Sequence, residues 1–256
     1  MIEVFPIPAF NDNYIWIIKG ESGSAVVVDP GDATPVLSAL RNQNLNLAAV
    51  LITHHHPDHT GGLNSLLGQF DVPVYGPKNS PCKQITNPLV EGSQLYIDEI
   101  GVGFDILEVP GHTLDHVAYY RQGMLFCGDT LFAGGCGGIF EGTAKQMHAS
   151  LSKINALPKE TLIYCAHEYT QDNLQFALNV EPDSGDLLDR VKETGKLRQR
   201  GIPTVPSDLD VEQRTNPFLR YNAPSVIQAA EKYCGGELDS DAAVFACVRS
   251  WKDDLD

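Results

Sequence analysis

Residues 53–59 read Thr53-His54-His55-His56-Pro57-Asp58-His59, with four histidines and an aspartate inside six positions. An apolar run at residues 48–52 precedes this stretch, and a glycine pair at 61–62 follows it. A short apolar run that ends at a turn signal is typical of a buried strand. The sequence therefore predicts a strand that delivers a cluster of polar side chains to a glycine-rich turn at its carboxyl end.

Four side chains of this cluster are candidate metal ligands. Side chains alternate along an extended segment, so His54 and His56 are expected on one side and His55 on the other. Asp58 and His59 follow after the bend that the intervening proline introduces. Imidazole and carboxylate groups suit zinc, iron or manganese. Because four ligands at this spacing are hard to place on one ion, the pattern indicates two metals side by side.

Three more ligand candidates, His112, Asp129 and His167, each follow an apolar strand and precede a turn. Ligands at the same ends of neighbouring strands converge on one edge of a sheet, where open-sheet proteins build their sites. The set is then five histidines and two aspartates. Two four-coordinate metals need about eight ligand positions, so one carboxylate is expected to bridge them beside a shared water. Such a water loses a proton near neutral pH and becomes a nucleophile.

Short apolar segments alternate with helical ones over the first two thirds of the chain. Strands are predicted at 14–18, 25–28, 48–52, 72–75, 104–109, 117–120, 124–127 and 161–166. Helices are predicted at 35–42 with Thr34 as cap, 62–69 and 143–157, and after His167 at 172–180, 186–200 and 241–252. A loop is predicted for 203–217. Mixed strands and helices favour packed sheets with helices outside, followed by a small helical domain.

The charge of the chain restricts its partners. The 256 residues carry a formal net charge of −15. Residues 1–189 hold 8 bases and 22 acids, whereas residues 190–256 hold 10 bases and 11 acids. Nucleic-acid binding depends on basic surface, so no nucleic-acid partner is expected. An anionic substrate would need the bases of the C-terminal part or the metals.

The cysteines and the apolar runs indicate a location. Six cysteines, at positions 82, 127, 136, 165, 234 and 247, form no Cys-x-x-Cys pair. No apolar run approaches the roughly 18 residues of a membrane span, and residues 1–6 show no signal-peptide pattern. All six thiols are therefore expected to be reduced, and the cytoplasm is the expected location. Neither a membrane nor an obligate protein partner is expected.

Other polar residues carry different expectations. His55 is expected to hydrogen-bond locally, His116 to support a ligand or the framework, and His148 to lie on the surface of a helix. Asp29, at the end of another strand, is expected to brace the loop rather than to bind metal. Cys136, in a glycine-rich run, is expected to pack rather than to act as a nucleophile.

Motifs along nearly the whole chain carry a family resemblance. Residues 53–59 match T-H-x-H-x-D-H, the signature of the metallo-β-lactamase superfamily. Within it the chain resembles the glyoxalase II, or hydroxyacylglutathione hydrolase, family. The resemblance includes Asn11-Asp12-Asn13-Tyr14 and Asn216-Pro217-Phe218. The segments that narrow it to this family are Gly135-Cys136-Gly137, Phe140-Glu141-Gly142-Thr143, Ala166-His167-Glu168-Tyr169-Thr170 and Arg249-x-x-Lys252.

The resemblance implies a fold and a ligand set. The fold is an α/β, four-layer αββα sandwich at residues 1–167, which binds metal, followed by a small all-α substrate-binding domain at residues 168–256. Two divalent ions are implied, zinc in the first place and iron or manganese as alternatives. The first would be held by His54, His56 and His112, the second by Asp58, His59 and His167, with Asp129 bridging them.

The resemblance also assigns substrate-binding residues. Tyr169, Arg249 and Lys252 match residues that bind glutathione in the family, and Phe140 and Gly138 stand at further substrate-binding positions. Independently, Phe245, Arg249 and Lys252 lie at i, i+4 and i+7, which puts them on one helix face.

The sequence departs from the family pattern in three places. Gly138 stands where the family carries Lys or Arg, and Phe140 stands where some members have Tyr. Asp115 replaces a glycine and adds negative charge near the site. These departures are expected to change the affinity for glutathione rather than the chemistry.

The implied reaction is hydrolysis of S-(2-hydroxyacyl)glutathione, chiefly S-D-lactoylglutathione, to D-lactate and glutathione. A metal-bridging hydroxide would attack the thioester carbonyl, with Asp58 orienting it and Asp129 holding both metals. Two alternatives stay open: another hydrolase of this fold such as a lactonase, and an iron-dependent oxidoreductase like the sulfur dioxygenases. The Arg249-x-x-Lys252 segment disfavours the first, and the full set of seven ligands disfavours the second. The chain contains neither a G-x-S-x-G elbow nor a Walker A motif.

Overall fold

The computed structural model describes residues 2–255, so the predicted domain ends at Met1 and Asp256 lie outside the described residues. The chain forms two compact units. Met1–Glu108 and Asp115–Gly128 make the first, and Val109–Leu114 and Asp129–Asp256 make the second. Within residues 2–255 no helix is both long enough and apolar enough to cross a membrane. The predicted domain boundary after residue 167 stays a prediction.

A six-stranded mixed sheet organises the first unit. Its order is β1 (Glu3–Ala9), β2 (Asn13–Lys19), β3 (Ser24–Val28), β4 (Asn46–Leu51), β5 (Val74–Pro77) and β6 (Asn87–Leu89). The first three strands pair antiparallel, and β3 to β6 pair parallel. Helix α1 (Ala33–Asn42) connects β3 to the parallel strand β4, and the short helices α2 (Pro57–Thr60) and α3 (Leu63–Leu67) follow β4. This crossover sends the carboxyl end of β4 into the histidine cluster.

A second, antiparallel sheet packs against the first within this unit. It contains β7 (Gln94–Ile97), β8 (Val102–Glu108), β9 (Val117–Arg121) and β10 (Met124–Gly128). Residues 25–28 of β3 are at most 1% exposed, so both faces of the first sheet are covered. One face packs on α1, and on the other side the Tyr119 hydroxyl donates to the carbonyl oxygen of Ile52 at 2.7 Å. This hydrogen bond joins the two sheets beside the start of the cluster.

The second unit is mostly helical. Its elements are β11 (Leu131–Phe132), β12 (Gly135–Cys136), α4 (Ala144–Asn155), β13 (Leu162–Cys165), α5 (Thr170–Val180), α6 (Gly185–Gln199), β14 (Ser207–Asp208), α7 (Leu209–Thr215), α8 (Pro224–Cys234) and α9 (Asp241–Asp253). Thr143 caps α4 and forms a capping box with Gln146. Helix α9 packs on α4 and α8. The Phe176 ring stacks on Phe218, which meets the Phe245 ring edge-on. After residue 167, β14 is the only strand among the described residues, and helices joined by loops make up the rest.

Most predicted elements are confirmed, with three corrections. The predicted strand at 72–75 begins only at Val74. Helix α1 begins at Ala33, and its cap is Asp32, whose carboxylate accepts a hydrogen bond from the Thr34 amide at 2.8 Å. The predicted loop at 203–217 contains β14 and α7, because prolines flank this segment but do not interrupt it. The proline-containing strand β1 was not predicted, and it lies at the sheet edge, where proline is tolerated.

The prediction that all six cysteines are reduced is wrong for two of them. Cys234 and Cys247 form a disulfide between the end of α8 and the middle of α9. Cys82, Cys127, Cys136 and Cys165 are free thiols. The pairing depends on the packing of α8 against α9, which the spacing of the cysteines does not encode.

The prediction of a surface position for His148 is also wrong. The side chain is half-buried in α4, with its ring edge-on to Tyr221 at 4.4 Å and 5.8 Å from the ring of Phe245. Helix α9 and the segment around Tyr221 cover this face of α4. The helical pattern of α4 alone gives no sign of these neighbours.

Candidate metal centre and neighbouring cavity

The first cluster of candidate ligands lies in the first unit, directly after β4. His54 and His59 are fully buried, and their ring centroids are 4.1 Å apart. The His56 ring lies 4.7 Å from that of His54. The Nε2 atom of His59 is 3.5 Å from the Oδ2 atom of Asp58, whose side chain is 39% exposed. The structure therefore brings these four predicted ligands together at the end of one strand.

Asp29 and Thr53 orient the histidines of this cluster. The Thr53 hydroxyl donates to Asp29 at 2.7 Å and lies 3.1 Å from Nδ1 of His54. Because this hydroxyl already donates to a carboxylate, it accepts the Nδ1 proton of His54 and leaves Nε2 with its lone pair. Nδ1 of His59 likewise faces Asp29 at 3.0 Å. The expectation that Asp29 braces the loop is confirmed.

Asn13 holds the carboxylate of Asp58. Its amide donates to Oδ2 of Asp58 at 2.9 Å, and Asn13 itself is only 7% exposed. Gly31 makes the approach of this loop possible, since a Cβ there would lie 1.8 Å from the carbonyl oxygen of Asp58. The sequence places Asn13 in a motif of the family resemblance but does not indicate its partner. A buried amide at the start of β2 becomes informative only when its partner is known.

The two other histidines of the first unit take the supporting positions expected of them. His55 points away from the cluster and pairs with Asp115, with 2.9 Å between Nδ1 and Oδ1. The negative charge of Asp115, the residue that departs from the family pattern, is thus placed against an imidazole. His116 stacks on His54 with centroids 4.6 Å apart, and its Nδ1 lies 3.1 Å from the carbonyl oxygen of Val117.

The second cluster of candidate ligands lies in the second unit and centres on Asp129. Oδ2 of Asp129 lies 3.4 Å from Nε2 of His112 and 3.3 Å from Nε2 of His167. All three residues are at most 5% exposed. Asp129 directly follows β10, and His167 comes two residues after β13, as the strand-end argument predicts. One carboxylate oxygen thus faces two imidazole nitrogens.

The backbone around Gly138 fixes the orientation of His112. Nδ1 of His112 donates to the carbonyl oxygen of Gly138 at 2.8 Å, so Nε2 keeps its lone pair on the side of Asp129. Gly137 allows this loop to come close, because a Cβ there would lie 1.9 Å from the carbonyl oxygen of Asp129. Gly137 and Gly138 therefore support the second cluster through their main chain.

The spacing of donor atoms fits divalent metals in both clusters. The distances of 3.3–3.5 Å between Nε2 and carboxylate oxygens exceed those of ordinary hydrogen bonds. They match the edge of a coordination tetrahedron, about 3.4 Å for metal–ligand bonds of about 2.1 Å. A histidine that binds a metal through one ring nitrogen usually donates the N–H of its other ring nitrogen to an oxygen atom. Each cluster can therefore hold part of a metal's coordination shell.

Aromatic rings extend the second cluster toward a cavity. Tyr169 stacks on His167 with centroids 4.7 Å apart and planes 8° from parallel. Phe132 meets both rings edge-on. Phe140, 74% exposed, meets the His112 ring edge-on at 5.1 Å. Two predicted substrate-binding residues thus contact two predicted metal ligands.

A cavity of about 580 Å³ opens beside these rings, within the second unit. All five predicted substrate-binding residues line it, namely Gly138, Phe140, Tyr169, Arg249 and Lys252. A volume of this size suits a small organic ligand. Alongside the two bases it carries two carboxylates, Asp172 and Asp253.

Arg249 is built into the wall of this cavity. The guanidinium donates to Asp253 at 2.6 Å and 3.0 Å and to the carbonyl oxygen of Cys136 at 3.3 Å, and it lies over the Phe218 ring. Lys252 is 9% exposed, and its ammonium lies 5.8 Å from the centre of the Phe176 ring. Burial raises the pKa of the Cys136 thiol, which fits the predicted packing role of this residue. Arg249 therefore stabilises the wall of the cavity and also gives it a positive charge.

Family models match both parts of the chain. The model of the metallo-β-lactamase superfamily matches residues 9–167, and the model of the hydroxyacylglutathione hydrolase C-terminus matches residues 168–255. A B3 metallo-β-lactamase, BLEG-1, has a similar fold at a TM-score of 0.65 and 23% identity, over 86% of this chain and 99% of that chain. The chain therefore has a metallo-β-lactamase fold followed by a helical region.

Relatives that match over most of their length identify the family within this superfamily. The hydroxyacylglutathione hydrolase of Nitrosomonas europaea is 51% identical over 255 residues, covering 100% of this chain and 97% of the relative. The di-iron-bound form of TTHA1623 superimposes with a TM-score of 0.60 at 26% identity, over 84% of this chain and 100% of that one. The chain belongs to the hydroxyacylglutathione hydrolase family.

Proposed function

We propose that this protein hydrolyses the thioester of S-(2-hydroxyacyl)glutathione, chiefly S-D-lactoylglutathione, to D-lactate and glutathione. This reaction is the second step of methylglyoxal detoxification. The observation that carries the proposal is full-length similarity, at 51% identity, to a relative named hydroxyacylglutathione hydrolase. The cavity with two bases beside two candidate metal ligands supports it.

The proposed metal site contains two divalent ions. His54, His56 and His112 would hold one and Asp58, His59 and His167 the other, with Asp129 between them. Neither cluster alone supplies the roughly eight ligand positions that two ions need, and Asp129 already faces two imidazoles. We propose zinc, with iron and manganese as alternatives; the di-iron form of TTHA1623 belongs to a protein 26% identical to this one. Bound ions would supply an activated water and a Lewis acid.

Side chains of the protein would orient the attacking water and bind the substrate. Asp58, held by Asn13, would orient the attacking water by accepting its hydrogen bond. Lys252, Arg249 and Tyr169 would bind the glutathione part in the cavity. Expulsion of a thiolate needs little assistance, because thiols have a pKa of about 8.5.

Two alternatives are disfavoured. A lactonase of the same fold has no use for a cavity with two bases next to the metal ligands. A sulfur dioxygenase-like oxidoreductase would use a single iron, whereas all seven candidate ligands are present in this chain. The curated relative matches the whole chain, including the helical region that carries the cavity.

Metal analysis combined with a substrate panel tests the proposal. We expect close to two metal ions per chain and a preference for glutathione thioesters over lactones and over thioesters of other thiols. Full metal loading without thioester turnover would contradict the proposed function. Oxygen consumption with a glutathione persulfide would favour the oxidoreductase instead.

Three further expectations stay proposals. The metal-binding part would span residues 1–167 and the substrate-binding part residues 168–256. The substrate would be the main partner, without nucleic acid or membrane. The protein would work in the cytoplasm, although a disulfide between Cys234 and Cys247 is unusual there.

A further inference from the structure

The cavity is lined by acidic as well as basic side chains. Asp172 and Asp253 line the same space as Arg249 and Lys252. Asp253 is occupied, since it accepts two hydrogen bonds from Arg249. Asp172 is exposed in the first turn of α5 and makes no ion pair or side-chain hydrogen bond within residues 2–255. A carboxylate is thus available to a ligand in the cavity.

Asp172 occupies a defined place relative to the candidate metal ligands. Tyr169 stacks on His167, and Asp172 follows Tyr169 by three residues, at the start of the same helix. Residues three or four apart share a helix face, so Phe176 extends this face by one further turn. The Lys252 ammonium lies over the Phe176 ring. An acid, Asp172, and a base, Lys252, therefore line the same cavity as Tyr169, which stacks on His167.

We propose that Asp172 recognises the ammonium group of the γ-glutamyl residue of the thioester substrate; this inference rests on the proposed function. Glutathione carries two carboxylates and one ammonium group at neutral pH. The bases of the cavity match the carboxylates, and only a carboxylate matches the ammonium. Asp172 thereby selects thiols that carry a primary amine, because a neutral or anionic group at that place would leave its charge unmatched.

The experiment compares two substrates on two variants. One substrate is S-D-lactoylglutathione and the other is the same thioester with its amine acetylated. We expect Asp172→Asn to raise KM for the first by about two- to fivefold with kcat unchanged, as suits an exposed ion pair. For the acetylated substrate, Asp172→Asn should have the same KM as the wild-type protein. Asp172→Glu should retain most of the affinity for the first substrate.

The controls separate this role from others. Asp183→Asn removes the same charge from an exposed position that does not line this cavity, and it should change neither KM. The dissociation constants of glutathione and N-acetylglutathione, measured by direct binding, give the same comparison without turnover. An equal rise of KM for both substrates, or no rise for either, would overturn the role of Asp172. Wild-type protein that leaves both thioesters intact would instead refute the proposed function, and the inference with it.

Discussion

The Nδ1 atom of His112 donates its proton to the carbonyl oxygen of Gly138 over 2.8 Å. The main chain makes this contact, so it does not depend on which side chain stands at position 138. His112 can therefore present Nε2 toward Asp129 although the residue that the family pattern expects here is missing. Position 138 therefore orients a candidate metal ligand through its main chain, whatever side chain it carries.

Gly138→Lys tests that separation. A Cβ at this position would meet only the Phe140 ring, at 3.6 Å, so a side chain fits. We expect KM for a glutathione thioester to fall by about two- to tenfold with kcat unchanged, because a charged hydrogen bond is gained in a partly exposed place. Gly195→Lys, which adds the same charge in open space on α6, should leave KM as it is. An unchanged KM in Gly138→Lys would mean that position 138 does not face a substrate carboxylate.

Lys252→Ala should raise KM by at least about tenfold and leave kcat nearly unchanged. The ammonium is largely buried beside Phe176, where a charged hydrogen bond to substrate is worth about 1.5–3 kcal/mol. Steady-state kinetics checks the split between the two constants. Lys192→Ala removes a surface lysine of α6 as a control. Equal losses in kcat and kcat/KM would contradict a role in substrate binding.

Asp29→Asn should weaken metal binding without unfolding the protein. Its carboxylate faces Nδ1 of His59 and accepts hydrogen bonds from the hydroxyl and amide of Thr53. Loss of such support costs about 10- to 100-fold in metal affinity. Competition with a chelator measures the effect, and Asp71→Asn, in an exposed loop, is the control. Wild-type affinity in the variant would show that Asp29 does not support the metal site.

Reduction of the Cys234–Cys247 disulfide should lower the free energy of unfolding by about 3 kcal/mol. The two cysteines are 13 residues apart. Closing a loop of this length lowers the conformational entropy of the unfolded chain, which raises its free energy by about 3 kcal/mol. Denaturant unfolding with and without a reducing agent checks the value. The double variant Cys234→Ser with Cys247→Ser should not respond to the reductant, whereas Cys82→Ser, which removes a free thiol, should respond like wild type.

His148 should make the protein less stable in acid. Burial lowers the pKa of His148 below its ordinary value of 6.5, partly opposed by Asp241. The unfolded chain then binds the proton more readily than the folded one, so this contribution to stability is full above 6.5 and declines as the pH falls through that value. Unfolding titrations at pH 8 and pH 5 measure it. The loss on acidification should be smaller in His148→Gln, and an equal loss would contradict the shift.

The sequence by itself singled out the candidate metal ligands of this protein, because their signal is local. Residues 53–59 sit at the end of an apolar run, and His112, Asp129 and His167 repeat that arrangement, so strand ends could be read directly. The predicted substrate-binding residues came from a resemblance, and all five line one cavity. Propensity also located most helices, since Thr143 and the stripe of α9 are local patterns.

Only the tertiary structure decided how these side chains are held. Asn13 meets Asp58 across 45 positions, and His112 meets Gly138 across 26. The disulfide, the burial of His148 and the place of Asp172 in the cavity likewise depend on which helices pack together. Such contacts form when elements that are distant in sequence pack together, so the sequence around each residue does not predict them.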